Sequence, residues 1–158
     1  MATKFTIEEK ISETLKDFKA LVGRYTEVKD NDGLLKLFLS RNRNPLFDIS
    51  NNKMFKTGLK SKNLISSGGK PVEDHFIQRT KAMRLIFNKL ECNPNMELEE
   101  FIQLLIAIAS TASITREEHI KVTTYAKEHN ILNYQAYKTL DINIEGLEKF
   151  ISDNNILI

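Results

Sequence analysis

The sequence holds one cysteine, Cys92, which excludes an internal disulfide and any cysteine-built zinc cage and suits a reducing compartment. No apolar run approaches the ~20 residues that cross a bilayer. The first ten residues lack the apolar centre of a signal peptide. These absences predict an unanchored cytoplasmic protein with no membrane partner. Heavy use of Lys, Asn and Ile points to an AT-rich coding sequence, as in many phages and some bacteria; for a phage protein the compartment would be the host cytoplasm. Also missing are a GxSxG nucleophile elbow and a Walker phosphate loop, and Gly68-Gly69 alone makes no dinucleotide fingerprint. Cys92 falls in an expected interhelical turn with no histidine beside it, so a Cys-His pair has little support. No internal repeat or low-complexity linker appears.

What is present fits one domain over residues 1–158, with 41% hydrophobic residues available for a core. The formal charge of +2 is unevenly spread. Residues 41–89 hold eleven Lys or Arg against three acids, a net +8, so the remainder sums to −6. Such asymmetry favours an anionic partner for the middle of the chain, and nucleic acid is the commonest one for a soluble protein.

Along the chain, Thr6 and Glu9 form a capping box, and Ile7, Ile11, Leu15, Phe18, Leu21 and Val22 recur at helical spacing until Gly23. A helix over 7–22 is predicted. LLKLFLS after the Asp30–Gly33 turn is too short and apolar for periodicity to separate helix from buried strand, with helix preferred. Residues 41–71 carry most of the turn formers; short strands are expected near Met54–Leu59 and Asn63–Ser66, then a third extended segment, Val72–Ile77. Helical spacing resumes from Thr80 with Met83, Ile86, Phe87 and Leu90, and breaks at Asn93-Pro94. Asn95 is the expected cap of the next helix, built on Leu98, Phe101, Ile102, Leu105, Ile108 and Ala109. Thr115 and Glu118 form a second capping box for a helix from Arg116 to about His129. Two short helices are expected near 133–140 and 144–152. The predicted class is mainly α with a small β element, α+β, with helical flanks over 1–40 and 130–158.

The histidines are His75, His119 and His129. In SSGGKPVEDHFIQR, from Ser66 to Arg79, a glycine turn leads to Asp74 beside His75, a carboxylate adjoining an imidazole. A one-metal phosphodiester hydrolase needs a neutral imidazole to take a proton from water, and a divalent ion held by oxygen and nitrogen ligands. Neighbours on a strand point to opposite faces, so Asp74 and His75 can share a site only if the strand ends or twists there. His119 stands in the first turn of a capped helix, where the helix dipole disfavours protonation and leaves the metal-binding neutral ring.

Asp-His on a short strand after a glycine turn, followed by a capped helix reading ITREEH, resembles the HNH or ββα-metal endonucleases, especially the small phage forms, over residues 60–125. In that family two strands and a helix hold one divalent ion, Mg²⁺ or Mn²⁺, over the nucleic-acid backbone. The resemblance implies a DNA endonuclease with a ββα-metal-like core surrounded by helices. It would make His75 the general base, Asp74 and His119 metal ligands, and Arg79 the cation that stabilises charge on the phosphate. Lys56, Lys60, Lys62, Lys70, Lys81 and Arg84 would track phosphates, and a homodimer is a candidate assembly. Two other readings stay open: a helical module that binds nucleic acid without cutting it, and a protein-interaction factor whose charge asymmetry is incidental.

Overall fold

A computed structural model describes residues 5–156. The first helix, α1, runs Ile7–Val28 from the expected Thr6/Glu9 capping box. It passes through Gly23 because its apolar stripe continues: Tyr25 and Val28 are buried, and their burial outweighs the ~1 kcal/mol that a helical glycine costs. In α2 (Asp32–Asn42) the Asn31 side chain accepts from the Leu34 N–H at 3.0 Å, which settles LLKLFLS as helix. The turn-rich stretch then holds an unforeseen helix, α3 (Asn44–Ser50), with Pro45 in its first turn, where a missing N–H costs nothing.

Lys53–Phe55 makes a short 3₁₀ turn into β1 (Lys56–Lys60). The strand expected over Asn63–Ser66 is instead a helix, α4 (Lys62–Ser67). Ser61 caps its start and Gly68, at φ +63°, caps its end in the left-handed conformation. These caps outweigh the local strand signal. After the Gly69–Pro71 loop come β2 (Val72–His75), α5 (Arg79–Cys92) and α6 (Leu98–Ala109). Asn95 does not cap α6; the Glu97 N–H donates to the Glu100 carboxylate at 2.9 Å, so the helix begins three residues later. A third strand, β3 (Thr111–Ile114), precedes α7 (Arg116–Glu128), which starts on the expected Thr115/Glu118 capping box. Two short helices follow, α8 (Asn133–Thr139) and α9 (Leu147–Asp153). The class is α+β, mostly helical with one small sheet. No described helix is long and apolar enough to cross a membrane.

The chain divides into two compact units, both discontinuous in sequence. One comprises the residues up to Asn52 with Arg79–Leu105. It is all helical and closes on aromatic packing: Phe87 stacks on Tyr25 at 5.1 Å and meets Phe18 and Phe38 at 5.2 and 5.0 Å. Such ring pairs add about 0.5–1.5 kcal/mol each beyond their burial.

The other comprises Lys53–Gln78 and the residues from Ile106 onward, so the segment 60–125 draws on both units. Its sheet has the order β1-β3-β2. β2 pairs antiparallel with β3 in continuous register from Val72↔Ile114 to His75↔Thr111. β1 pairs parallel with β3, and the register slips between Lys56 and Lys60, around Gly58 at φ +77°. β1 and β2 are therefore separated by β3. Every β3 residue is buried.

Candidate acid–base site at Asp74 and His119

Because β2 stays in register with β3 through His75, the strand neither ends nor twists between Asp74 and His75. Their side chains take opposite faces of the sheet. His75 shares its face with Glu73, whose carboxylate accepts from Thr111 at 2.7 Å and from Ser113 at 2.6 Å. The His75 Nδ1 lies 3.3 Å from the Ala109 carbonyl. The assembly with His75 as base beside Asp74 as metal ligand does not form on one face.

On the other face Asp74 is fully buried and is the hub of a four-residue network. Nδ1 of His119 lies 2.7 Å from its Oδ1; a carboxylate only accepts, so the ring carries its proton on Nδ1. The Tyr137 hydroxyl donates to Oδ2. The Asn133 amide donates at 3.3 and 3.4 Å to the two oxygens, while its own buried Oδ1 finds no donor among the described residues. Each partner has a local cause. The capping box fixes the first turn of α7 and aims His119, four residues past the cap, at the strand. α8 is pinned beside the exit of β2 by the Tyr134 N–H donating to the Phe76 carbonyl at 3.0 Å and by Gln78 Nε2 donating to the Ile131 carbonyl at 2.8 Å. Asn133 and Tyr137, four apart, then share the face of α8 that meets Asp74.

The His119 side chain is 36% exposed, and its Nε2 makes no hydrogen bond among the described residues. The hydrogen bond and charge of Asp74 raise its pKa above the usual imidazole value, against a smaller opposing effect of burial. The helix-dipole expectation of a lowered pKa is opposed here, since a full carboxylate charge at hydrogen-bond distance outweighs a half-charge spread over a helix end and the shift runs upward. Burial and Asp74 together push the Tyr137 phenol well above its ordinary value, so it remains a donor. Next to His119, burial pushes the Glu118 carboxyl up. Hydrogen bonds from Ser61 (2.6 Å), the Thr115 N–H (2.9 Å) and Asn63 (2.9 Å) outweigh it and leave the group below the carboxylate norm. Glu118 thereby ties α4 to the first turn of α7.

A divalent ion does not fit Asp74 and His119 as placed. Both carboxylate oxygens are taken by protein donors, and no group of three or more His, Cys, Asp or Glu among the described residues is placed to hold one. Arg79 lies in the all-helical unit, its guanidinium 4.6 Å over the Phe47 ring and donating to Asn51 at 2.8 Å. Stacking and burial engage it there, and burial lowers its pKa. Of the expected phosphate contacts, Lys56, Lys60, Lys62 and Lys70 are exposed in the sheet-bearing unit. Lys81, half-buried, and Arg84, exposed, belong to α5 in the other. Sequence reasoning gave Asp74 and His119 as two ligands of one metal ion, not as a direct pair, and missed Asn133 and Tyr137; their i, i+4 spacing around Ala136 is the only signal they gave. No family model, curated protein or solved structure matches this chain.

Proposed function

We propose that this chain is a nucleic-acid phosphodiesterase, with DNA as its substrate, that works by proton transfer at His119. The observation that carries the reading is a fully buried carboxylate, held by Tyr137 and Asn133, bonded to Nδ1 of an imidazole whose Nε2 side is partly exposed. Asp74 is a positioning residue: it fixes the tautomer and makes Nε2 a stronger base. Nε2 takes a proton from water as the water oxygen bonds to phosphorus. The phosphorus–oxygen bond to the leaving sugar breaks, and the proton reaches the leaving alkoxide through solvent. The exposed lysines of 53–70 hold the backbone without reading sequence. His75 has no part in this step, and no step runs through Mg²⁺ or Mn²⁺.

A second reading, binding without cleavage, is favoured by one observation: among the described residues no hydroxyl, thiol or second imidazole is hydrogen-bonded to the His119 ring, and the Thr123 hydroxyl donates only to the backbone carbonyl of that residue. Plasmid nicking separates the two. His119→Asn keeps an amide to donate to Asp74 and should lose roughly 10²–10⁴-fold in rate, with the circular dichroism spectrum unchanged. His75→Ala should cut like the wild type, with or without EDTA. Full activity in His119→Asn, or cleavage that appears only with added metal, overturns the proton-transfer reading. DNA binding with no cleavage by the wild type establishes the second.

A further inference from the structure

We propose that the α1–α2 hairpin is a self-association surface, on which α2 of one copy packs antiparallel against α2 of a second copy. This rests on the all-helical unit alone and is independent of the site at His119.

The helix α2 is apolar on two sides. Leu35, Phe38 and Leu39 are buried, as an amphipathic helix requires. Leu34 and Leu37, one turn apart, are 44% and 46% exposed. With Leu21, Val28 and Phe38 they line a groove of about 190 Å³ between α1 and α2, which Arg24 and Arg41 also line. Exposed positions on α1 are instead mostly polar, among them Glu8, Lys10, Glu13, Lys16 and Asp17. Scattered exposed leucines need no explanation; two on one stripe beside a groove do.

Charge selects the occupant. Glu27, Asp30 and Asp32 gather at the turn of the hairpin, where Lys29 is held by Glu91 at 2.8 Å, while Arg41 and Arg43 stand at the far end of α2. Arg43 lies 5.4 Å over the Phe47 ring, Arg24 pairs with Glu27 at 2.6 Å, and Arg41 makes no ion pair among the described residues. Over the ~16 Å of an 11-residue helix, a second α2 laid antiparallel sets an acidic end against a basic end twice, once at each end of a two-fold contact. The antiparallel helix dipoles act in the same sense. A parallel pairing would oppose like charges. A foreign partner would have to bring an apolar stripe with acids at one end; the second copy already carries one.

One short helix pair buries less than the ~1,200–2,000 Å² of a stable complex, so the dimer is weak. Sedimentation equilibrium of the full chain from roughly 5 to 500 µM should show the mass climbing from 18.2 kDa toward that of two chains. Arg41→Glu and Asp30→Lys, both at exposed positions, should each weaken association about tenfold, and the double variant should regain most of it. Leu37→Glu should stay monomeric. A wild type that is monomeric at every concentration, or a double variant no better than its singles, overturns the proposal.

Discussion

At the scale of the residue, His119 couples proton chemistry to stability with opposite signs. Its folded pKa lies above the unfolded value of about 6.5, so the native state holds the proton longer. The pair with Asp74 therefore stabilises fully below about pH 6.5, and that contribution fades as pH rises through the folded value. The urea midpoint of the wild type minus that of His119→Asn should shrink between pH 6 and pH 9. The proposed cleavage needs the neutral ring as base, so its rate should climb across the same window. A pair that only braces the fold would show the first trend without the second. Asp74, His75 and His119 were legible as candidates because few residue types do this chemistry. Which imidazole meets Asp74 was not, since β2 alternates its side chains and only the register with β3 says which face His75 takes.

At the scale of the element, capping boxes were the most readable signals: Thr6/Glu9 and Thr115/Glu118 begin their helices as spacing predicts. Stops were less readable. Gly23 lies in mid-helix, is exposed, and an added Cβ meets nothing within 4 Å. Gly23→Ala should therefore raise stability by about 0.5–1 kcal/mol in urea unfolding, since alanine restricts the unfolded chain and suits the helix. Gly58, at φ +77°, is the contrasting case: a side chain there is strained although space is open. β3 escaped notice because a strand buried on both faces shows no alternation, and Thr111–Ile114 reads as small apolar and hydroxyl residues between two helices.

At the scale of the whole molecule, the +8 of residues 41–89 is shared between the two units. Counted over the sequence, the all-helical unit carries thirteen basic against twelve acidic residues and the sheet-bearing unit ten against nine, so each is at +1. The proposed DNA binding would then depend on local lysines and not on the net field. If Lys56, Lys60, Lys62 and Lys70 each neutralise one phosphate, the logarithm of the DNA affinity should fall against the logarithm of salt with a slope of about −3 to −4. Replacing Lys60 and Lys62 by alanine should flatten that slope by about 2 in fluorescence anisotropy titrations. An unchanged slope would place the contact elsewhere.

The sequence by itself determined the helices whose apolar spacing and caps agree, the α+β class, the lack of an internal disulfide and the short list of titratable candidates, Asp74, His75 and His119. Those properties are local, set by a few neighbours along the chain. Only tertiary structure decided that Asp74 serves His119, and that Tyr137 and Asn133, 63 and 59 residues away, take up the carboxylate's remaining hydrogen bonds. It also decided that the basic stretch is divided between two units. A buried charge is matched by whichever donors packing brings within 3 Å or so, and separation along the chain does not encode that choice.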